Sequence, residues 1–240
     1  MSLNARKIQT KSSGPQQEAI EPGSYPARVV RILDLGVQKQ RPYKGENKAP
    51  KHMIELTYEL VDEFCLNEAG EPDETKPRWV SEEFSLNSLD SDLATSTKRY
   101  NVLDPKEAFG GDFTQLIGCT CMVTVVQNPG SGKNADKIYN NVANIAAMRP
   151  RDAAQAPELV NPSKVFVLDE PDMEVFLSLP QWIQDKIKGN LNFGGSALQQ
   201  ALEGGSVAQK PAAKAKPKVA KQDAPEEPVE PEEGPEDENW

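Results

Sequence analysis

Residue types that support catalysis are few in this chain and stand apart from one another. The single histidine, His52, lies at the edge of a predicted strand, without the cysteine or aspartate partners of a metal site. Cys119 and Cys121 alternate within a predicted strand, which favours core packing over zinc binding. The run G-S-G-K at 130–133 is similar to a phosphate-binding loop but lacks the first glycine and the Ser or Thr after the lysine. We therefore expect no catalytic residues, cofactor or metal.

A small metal-dependent nuclease is the weaker enzymatic alternative. The acidic stretch 55–74 contains enough carboxylates for a metal site. Glu55 and Glu59, however, are predicted to alternate along an exposed strand face, opposite an apolar face. The remaining acids fall in a predicted polar loop over residues 62–77.

Basic and aromatic side chains recur together, as in proteins that bind single-stranded nucleic acid. Such proteins combine a positive groove along the phosphate backbone with exposed rings that stack on bases. The loops 38–52 and 128–138 both have this composition, and Trp79 opposes the apolar face of its strand. Each tyrosine has half-buried packing as an equally good interpretation. The predicted DNA contacts are Arg31, Lys39, Arg41, Tyr43, Lys44, Lys51, Trp79, Lys98, Arg99, Tyr100, Lys133, Lys137 and Tyr139.

Five segments have the alternating pattern of β-strands, and a helical stretch separates the third from the fourth. The long first strand carries apolar residues on both faces, and Gly36 within it predicts a bulge. This order of elements is that of a five-stranded Greek-key barrel of the OB type, whose first and last hairpin loops flank the ligand face. We predict a mainly β OB domain over residues 23–148. The predicted strands cover residues 25–38, 52–60, 78–86, 119–128 and 137–148.

Short helices are predicted between strands three and four and after the barrel. One begins with Asp90 or Ser91 as its cap and ends before Pro105, and a second is capped by Asp112. Residues 149–205 combine a proline-rich strap with two short helices, which we expect to pack on the barrel.

The ends of the chain have the composition of disordered arms. We predict a flexible N-terminal arm over 1–22, a basic Ala/Pro/Lys linker over 206–222 and a disordered acidic tail over 223–240. The tail holds nine carboxylates and no Lys or Arg. Removing these nine from the 37 acidic residues leaves 28 against 27 basic residues, so the rest of the chain is nearly neutral.

The tail is a tethered polyanion, so it is expected to compete with DNA for a basic groove. Its end offers an aromatic side chain and a free carboxylate to a basic pocket on another protein. The predicted partner-docking residues are Glu236, Asp237, Glu238 and Trp240. A tail that only keeps the protein soluble is the alternative, but it leaves the terminal aromatic residue unexplained.

Several segments resemble a bacteriophage single-stranded DNA-binding protein over most of residues 23–203. They are GSYPARVVRILDLGVQKQRPYKG (23–45), KPRWVSEEFSL (76–86), STKRYNVLDP (96–105), GDFTQLIG (111–118) and MRPRDAAQAPELVNP (148–162). The ending EDENW is similar to the acidic tails of phage and bacterial members, which commonly end in Phe. The resemblance implies an OB-fold and non-enzymatic protection of single strands during phage replication, recombination and repair. It also implies contacts with polymerase, primase-helicase or nuclease partners.

The sequence thus predicts a protein that coats single-stranded DNA without sequence preference, in the cytoplasm of an infected bacterium. Three cysteines are too few for a disulfide framework, which fits a reducing compartment. No apolar run is long enough to cross a membrane. The alternative function is an anionic chaperone or DNA-mimic decoy that binds basic proteins. The sequence leaves the choice between monomer and dimer open.

Overall fold

The computed structural model describes residues 19–42 and 44–204, with only the backbone described at Lys133. The described chain is mainly β, as predicted. Its strands are β1 (Gly23–Gln38), β2 (Lys51–Leu66), β3 (Pro72–Ser85), β4 (Thr120–Pro129), β5 (Ile138–Ala147) and β6 (Lys164–Phe166). Its short helices are α1 (Thr95–Leu103), α2 (Pro150–Gln155), α3 (Met173–Ser178), α4 (Gln181–Lys188) and α5 (Ala197–Gly204). Among the described helices, none is long and apolar enough to span a membrane.

The six strands form one open sheet. Five of them are antiparallel neighbours in the order β3-β2-β1-β4-β5. The long β1 has room for two partners along one edge: Gly23 to Arg28 pair with β4, and Arg31 to Leu33 pair in parallel with β6. The sequence predicted the five antiparallel strands but not β6, which lies within the predicted strap.

A first apolar core forms on one face of the sheet, because alternate residues of the strands point to the same side. On β2 these are Ile54, Leu56, Tyr58 and Leu60, all buried as predicted. Phe113 and Leu116, from a 3-10 turn over Phe113–Leu116, complete this core. The side chain of Asp112 caps the turn by accepting a hydrogen bond from Thr114 N, which confirms the predicted cap.

The opposite face of β2 is buried too, which corrects the prediction that it is exposed. Glu55, Thr57 and Glu59 are almost inaccessible to solvent. Glu55 forms an ion pair with Arg31, with Nη2 and Oε1 2.7 Å apart. The carboxylate of Glu59 accepts hydrogen bonds from the backbone N–H groups of Val160 and Asn161, at 2.8 and 2.9 Å. These partners satisfy both charges, so the polar side chains tolerate burial.

The predicted polar loop over 62–77 is also wrong in extent. β2 continues to Leu66 and β3 begins at Pro72, so that only residues 67–71 form the turn. The Asn67 side chain stabilises this turn by accepting hydrogen bonds from the N–H groups of Ala69 and Glu71. Acidic residues on this hairpin lie beside solvent in extended strands, where a charged side chain has little free-energy cost.

β1 bends at Gly36, as the sequence predicted. The pairing register with β2 shifts between Asp34 and Gly36, and Gly36 has a φ of +71°. A Cβ at this position would lie 2.7 Å from Leu168 Cδ1 and 2.8 Å from Asn190 Cβ. Only glycine accommodates both the left-handed backbone and this close approach.

A second apolar core lies between β1 and the C-terminal helices. Leu33 and Leu35 of β1 are fully buried in it, together with Phe166 of β6. The helices add Phe176, Leu179, Ile183, Ile187 and Leu198. β1 therefore supplies side chains to two cores, which explains why both of its faces are apolar.

The segment after α2 is held on the sheet by two charged side chains. Arg28 donates to the carbonyl oxygens of Ala156 and Pro157, at 2.9 and 2.6 Å, and to Gly118 O at 2.7 Å. Glu59 holds the next residues through the bonds given above. This part of the predicted strap is thus fixed by side-chain hydrogen bonds from β1 and β2.

Candidate nucleic-acid interface

A groove of about 480 Å³ lies between the β1–β2 loop and the β4–β5 hairpin. The loop contributes Arg41, and the hairpin contributes residues from both strands and the turn between them. The predicted pair of flanking loops therefore meets at one surface. The hairpin residues that line the groove are Asn128, Pro129, Gly130, Ser131, Asn134, Tyr139, Asn140 and Asn141.

Tyr139 presents a ring on this groove. The residue is 44% exposed and sits at the start of β5, opposite Asn128 of β4. Its ring is close to Gly130: a Cβ added at Gly130 would be 3.0 Å from Tyr139 Cε2. The same Cβ would be 2.0 Å from Asn134 O. The turn is closed by a hydrogen bond from Gly130 N to Lys137 O at 2.7 Å. Such a ring is positioned to stack on a planar ligand.

The groove lies beside exposed positive charges. Lys39, Arg41, Lys51 and Lys137 are all exposed, and none of them forms an ion pair within the described part of the chain. Lys44 is exposed as well and has a left-handed backbone, with φ of +53°. Because Lys39, Arg41, Lys51 and Lys137 have no ion-pair partner among the described residues, they are available to phosphate groups.

Trp79 is 51% exposed and faces away from the apolar core, as predicted. The Arg31 guanidinium lies 5.7 Å from the centre of its ring, within the range of a cation–π contact. The same guanidinium pairs with Glu55, so Arg31 has one face and its N–H groups engaged. Burial is the main influence on Glu55, and it raises the pKa of that carboxyl despite the nearby arginine.

Trp79 and Arg31 do not line the groove described above. Their surroundings are more acidic than those of the groove, because Glu59 pairs with Trp79 across the strands and Glu55 pairs with Glu83. Lys186 of α4 contacts Glu83 through an ion pair. The predicted DNA contacts therefore fall into two separate surfaces.

Arg99 and Tyr100 are buried, which corrects their prediction as DNA contacts. Arg99 points into the interior, where it pairs with Glu82 and donates to Asn144 Oδ1 at 2.9 Å. Tyr100 packs against Phe113, and its hydroxyl donates to Asp104 Oδ2 at 3.0 Å. Of this predicted triplet only Lys98 is exposed.

The position of α1 explains this error. The helix begins at Thr95, with Ala94 at the cap, so the predicted caps Asp90 and Ser91 lie in the preceding turn. Leu93 lies before the helix and is 86% exposed. The true helix is only nine residues long, and its inner side carries polar residues that are paired inside the protein.

Sequence reasoning missed the asparagines of the hairpin. Asn128, Asn134, Asn140 and Asn141 all line the groove. The only sequence signal was the density of asparagine in this stretch, including the pair at 140 and 141. The Oδ1 atom of Asn140 is buried and has no hydrogen-bond partner within the described residues.

Several predicted site residues lie outside the described part of the chain. These are Tyr43, the side chain of Lys133, and the tail residues Glu236, Asp237, Glu238 and Trp240.

His52 lies at a second, smaller cavity of about 280 Å³, next to Asp34 and the residues around Asn190. Its Nε2 is 2.6 Å from Asp34 Oδ1, and this hydrogen bond raises the pKa of His52. Burial alone would raise the pKa of Asp34, but the hydrogen bonds from His52 and from Gly36 N lower it. The other oxygen of Asp34 accepts from Leu168 N, at 3.3 Å. His52 of β2 thus forms a local ion pair with Asp34 of β1.

The cysteines next to and within β4 have the environment of packing residues. Cys121 is fully buried in the first core, and Cys119 packs against the same core. Burial raises the pKa of Cys119 to about 11 and that of Cys121 to about 12. Both side chains are therefore neutral thiols at physiological pH. Among the described residues, no three His, Cys, Asp or Glu side chains come together as metal ligands.

Comparison with known proteins adds no relative to this picture. No protein-family model matches the chain, and no curated protein sequence matches it.

Proposed function

We propose that the protein binds single-stranded DNA without enzymatic activity, and that it coats and protects single strands during replication and recombination. The observation that carries this proposal is the groove between the β1–β2 loop and the β4–β5 hairpin. There Arg41 and the exposed ring of Tyr139 line one groove, and the exposed Lys137 precedes that tyrosine by two residues. Positive charge with an exposed aromatic ring is the combination that binds single strands regardless of sequence.

A closed five-stranded barrel of the OB type is the finer architecture that we propose. The strand order β3-β2-β1-β4-β5 is that of an OB barrel opened between β3 and β5. Arg99 supports closure at this seam, because it holds Glu82 of β3 and Asn144 of β5 at once. The groove then lies between the two loops that flank the ligand face of such barrels.

The tail completes the proposal. With nine carboxylates, residues 223–240 compete with DNA for the basic groove, and DNA releases them. The released end, with Trp240, docks on replication proteins such as a polymerase, primase-helicase or nuclease. The setting that we propose is the cytoplasm of a bacterium infected by a phage.

Fluorescence anisotropy with labelled oligo-dT and a duplex of equal length tests this function. The full chain should bind the single strand with nanomolar to micromolar affinity and the duplex more weakly, and affinity should fall steeply with salt. A chain lacking 223–240 should bind oligo-dT more tightly. Equal affinity for duplex and single strand would overturn the proposal, and unchanged affinity after the deletion would overturn the role of the tail.

A further inference from the structure

We propose that the groove takes one unpaired base, and that its side-chain amides bind the edge that the base would use for pairing. This inference rests on the proposed function and adds what the groove recognises: the base itself, in addition to the phosphate backbone.

The lining of the groove is matched to a base better than to a phosphate. Arg41 is the only charged side chain among the described residues that line it. A phosphate-binding surface relies on several cations. Side-chain amides instead offer one acceptor and two donors each, which is the chemistry that reads base edges. The groove-lining residues with an amide or hydroxyl side chain are Asn128, Ser131, Asn134, Asn140 and Asn141.

Tyr139 supplies the stacking surface for such a base. Its ring lies next to the turn, since a Cβ at Gly130 would be 3.0 Å from Tyr139 Cε2. The ring is 44% exposed, so one face can accept a planar ligand without rearrangement of the hairpin. An exposed ring with polar side chains around it is the arrangement that holds an unstacked base.

Asn141 and Asn128 are the amides best placed for this contact. Asn141 follows Tyr139 by two residues in β5, so both side chains lie on the same face of the strand, and Asn128 lies directly opposite Tyr139 on β4. Both asparagines are exposed. Each of the four DNA bases carries at least one N–H donor on its pairing edge, which an amide oxygen on this face can accept.

A base bound in this way must be unpaired, because in duplex DNA the same edge is occupied by the opposite strand. The groove therefore discriminates single strands from duplexes through the base. The surrounding lysines contribute affinity that does not depend on pairing.

The test compares oligo-dT with an oligonucleotide of equal length whose residues are all abasic, in anisotropy titrations of the full chain. We expect oligo-dT to bind about 5- to 100-fold more tightly, the range of one base stacked on an aromatic ring. Tyr139→Leu should reduce this ratio at least fivefold and leave affinity for the abasic strand unchanged, whereas Tyr139→Phe should preserve the ratio. Asn141→Ala should reduce it too, whereas Asn140→Ala, on the opposite face of β5, should leave it unchanged.

The outcomes distinguish a failure of this inference from a failure of the proposed function. If the wild-type chain binds both strands equally, or if either Tyr139→Leu or Asn141→Ala leaves the ratio unchanged, the base-binding groove is wrong and DNA binding stands. If neither strand binds, the proposed function is wrong and the inference with it. Unchanged affinity of a variant for the abasic strand excludes misfolding as the cause of its loss.

Discussion

Arg99 of α1 and Glu82 of β3 form a two-bond ion pair inside the protein. Arg99 Nε and Nη2 donate to the two carboxylate oxygens at 2.8 and 2.9 Å. Tyr58 also donates to Glu82, at 2.7 Å, and Arg99 reaches Asn144. The pair therefore connects a helix and three strands, and Arg99, Glu82 and Tyr58 have side chains that are almost fully buried.

Removal of Arg99 should be strongly destabilising, because it leaves the Glu82 charge buried without compensation. We expect Arg99→Ala to lower the free energy of unfolding by about 3–5 kcal/mol, measured by urea denaturation. Lys98→Ala on the exposed side of the same helix is the control, with a change within about 0.5 kcal/mol. Similar losses for the two variants would show that the ion pair has no special role.

Gly36 and Gly45 both have a left-handed backbone, so their substitution by alanine can be compared directly. Both have positive φ, but an alanine Cβ meets neighbouring atoms below 3 Å only at Gly36 and has open space at Gly45. Gly45→Ala should cost about 1–2 kcal/mol for the backbone alone. Gly36→Ala should cost about 1–3 kcal/mol more, because Leu168 and Asn190 must move. Equal costs in thermal or urea unfolding would mean that the contact relaxes freely.

The two exposed tryptophans test which surface binds DNA. Trp79 is 51% exposed on the sheet beside Arg31, and Trp182 is 60% exposed on α4. We expect Trp79→Ala to weaken oligo-dT binding about 5- to 100-fold, as for a lost base stack, and Trp182→Ala to have little effect. The reverse order in anisotropy titrations would place the DNA on the C-terminal helices.

Arg41 should contribute to affinity through phosphate contact and counterion release. In a plot of log affinity against log salt, Arg41→Ala should reduce the slope by about 0.7 for single-stranded DNA. Arg149→Ala, which removes another highly exposed arginine away from the groove, is the control and should leave the slope unchanged. An equal change of slope for both substitutions would indicate that DNA is attracted by the overall charge of the protein and follows no defined path on its surface.

The ion pair of His52 and Asp34 should make stability depend on pH. The folded pKa of His52 is raised, so its contribution is complete below about 6.5, the unfolded value, and is lost as the pH rises through the folded value. The folded pKa of Asp34 is lowered, so its contribution is present above about 3.9 and is lost as the pH falls through the folded value. His52 is 42% exposed on its side chain, so we expect no more than about 1 kcal/mol.

Urea unfolding at pH 5.5 and pH 8.5 measures this effect. The wild-type chain should lose more stability between the two values than His52→Gln does. If the two proteins change in parallel, the pH dependence comes from other groups.

Local patterns were enough to predict most of the strands. The alternation of apolar and polar residues predicted β1 to β5, Gly36 predicted the bulge, and Asp112 was predicted as a helix cap. These features depend on residues that are close together in the sequence. The loops that flank the groove were also predicted, because their positions follow from the strand order.

The errors share a different physical cause. Glu59 was predicted to be exposed, because nothing near it in sequence reveals that backbone N–H groups about 100 residues away bind its carboxylate. Arg99 was predicted to contact DNA for the same reason, since its partner Glu82 lies on another element. Charged residues are assigned to the surface by default, and only long-range partners overturn that assignment.

Because β1 belongs to two cores, the β-strand body cannot be cut away from the C-terminal helices. A chain that stops at residue 148 would leave the side chains of Leu33 and Leu35 in water, along with the unpaired edge of β1 that β6 now covers. Unpaired strand edges of this kind form hydrogen bonds with strands of other molecules. A fragment designed to isolate the β-strand body should therefore extend through α5, and shorter versions should precipitate.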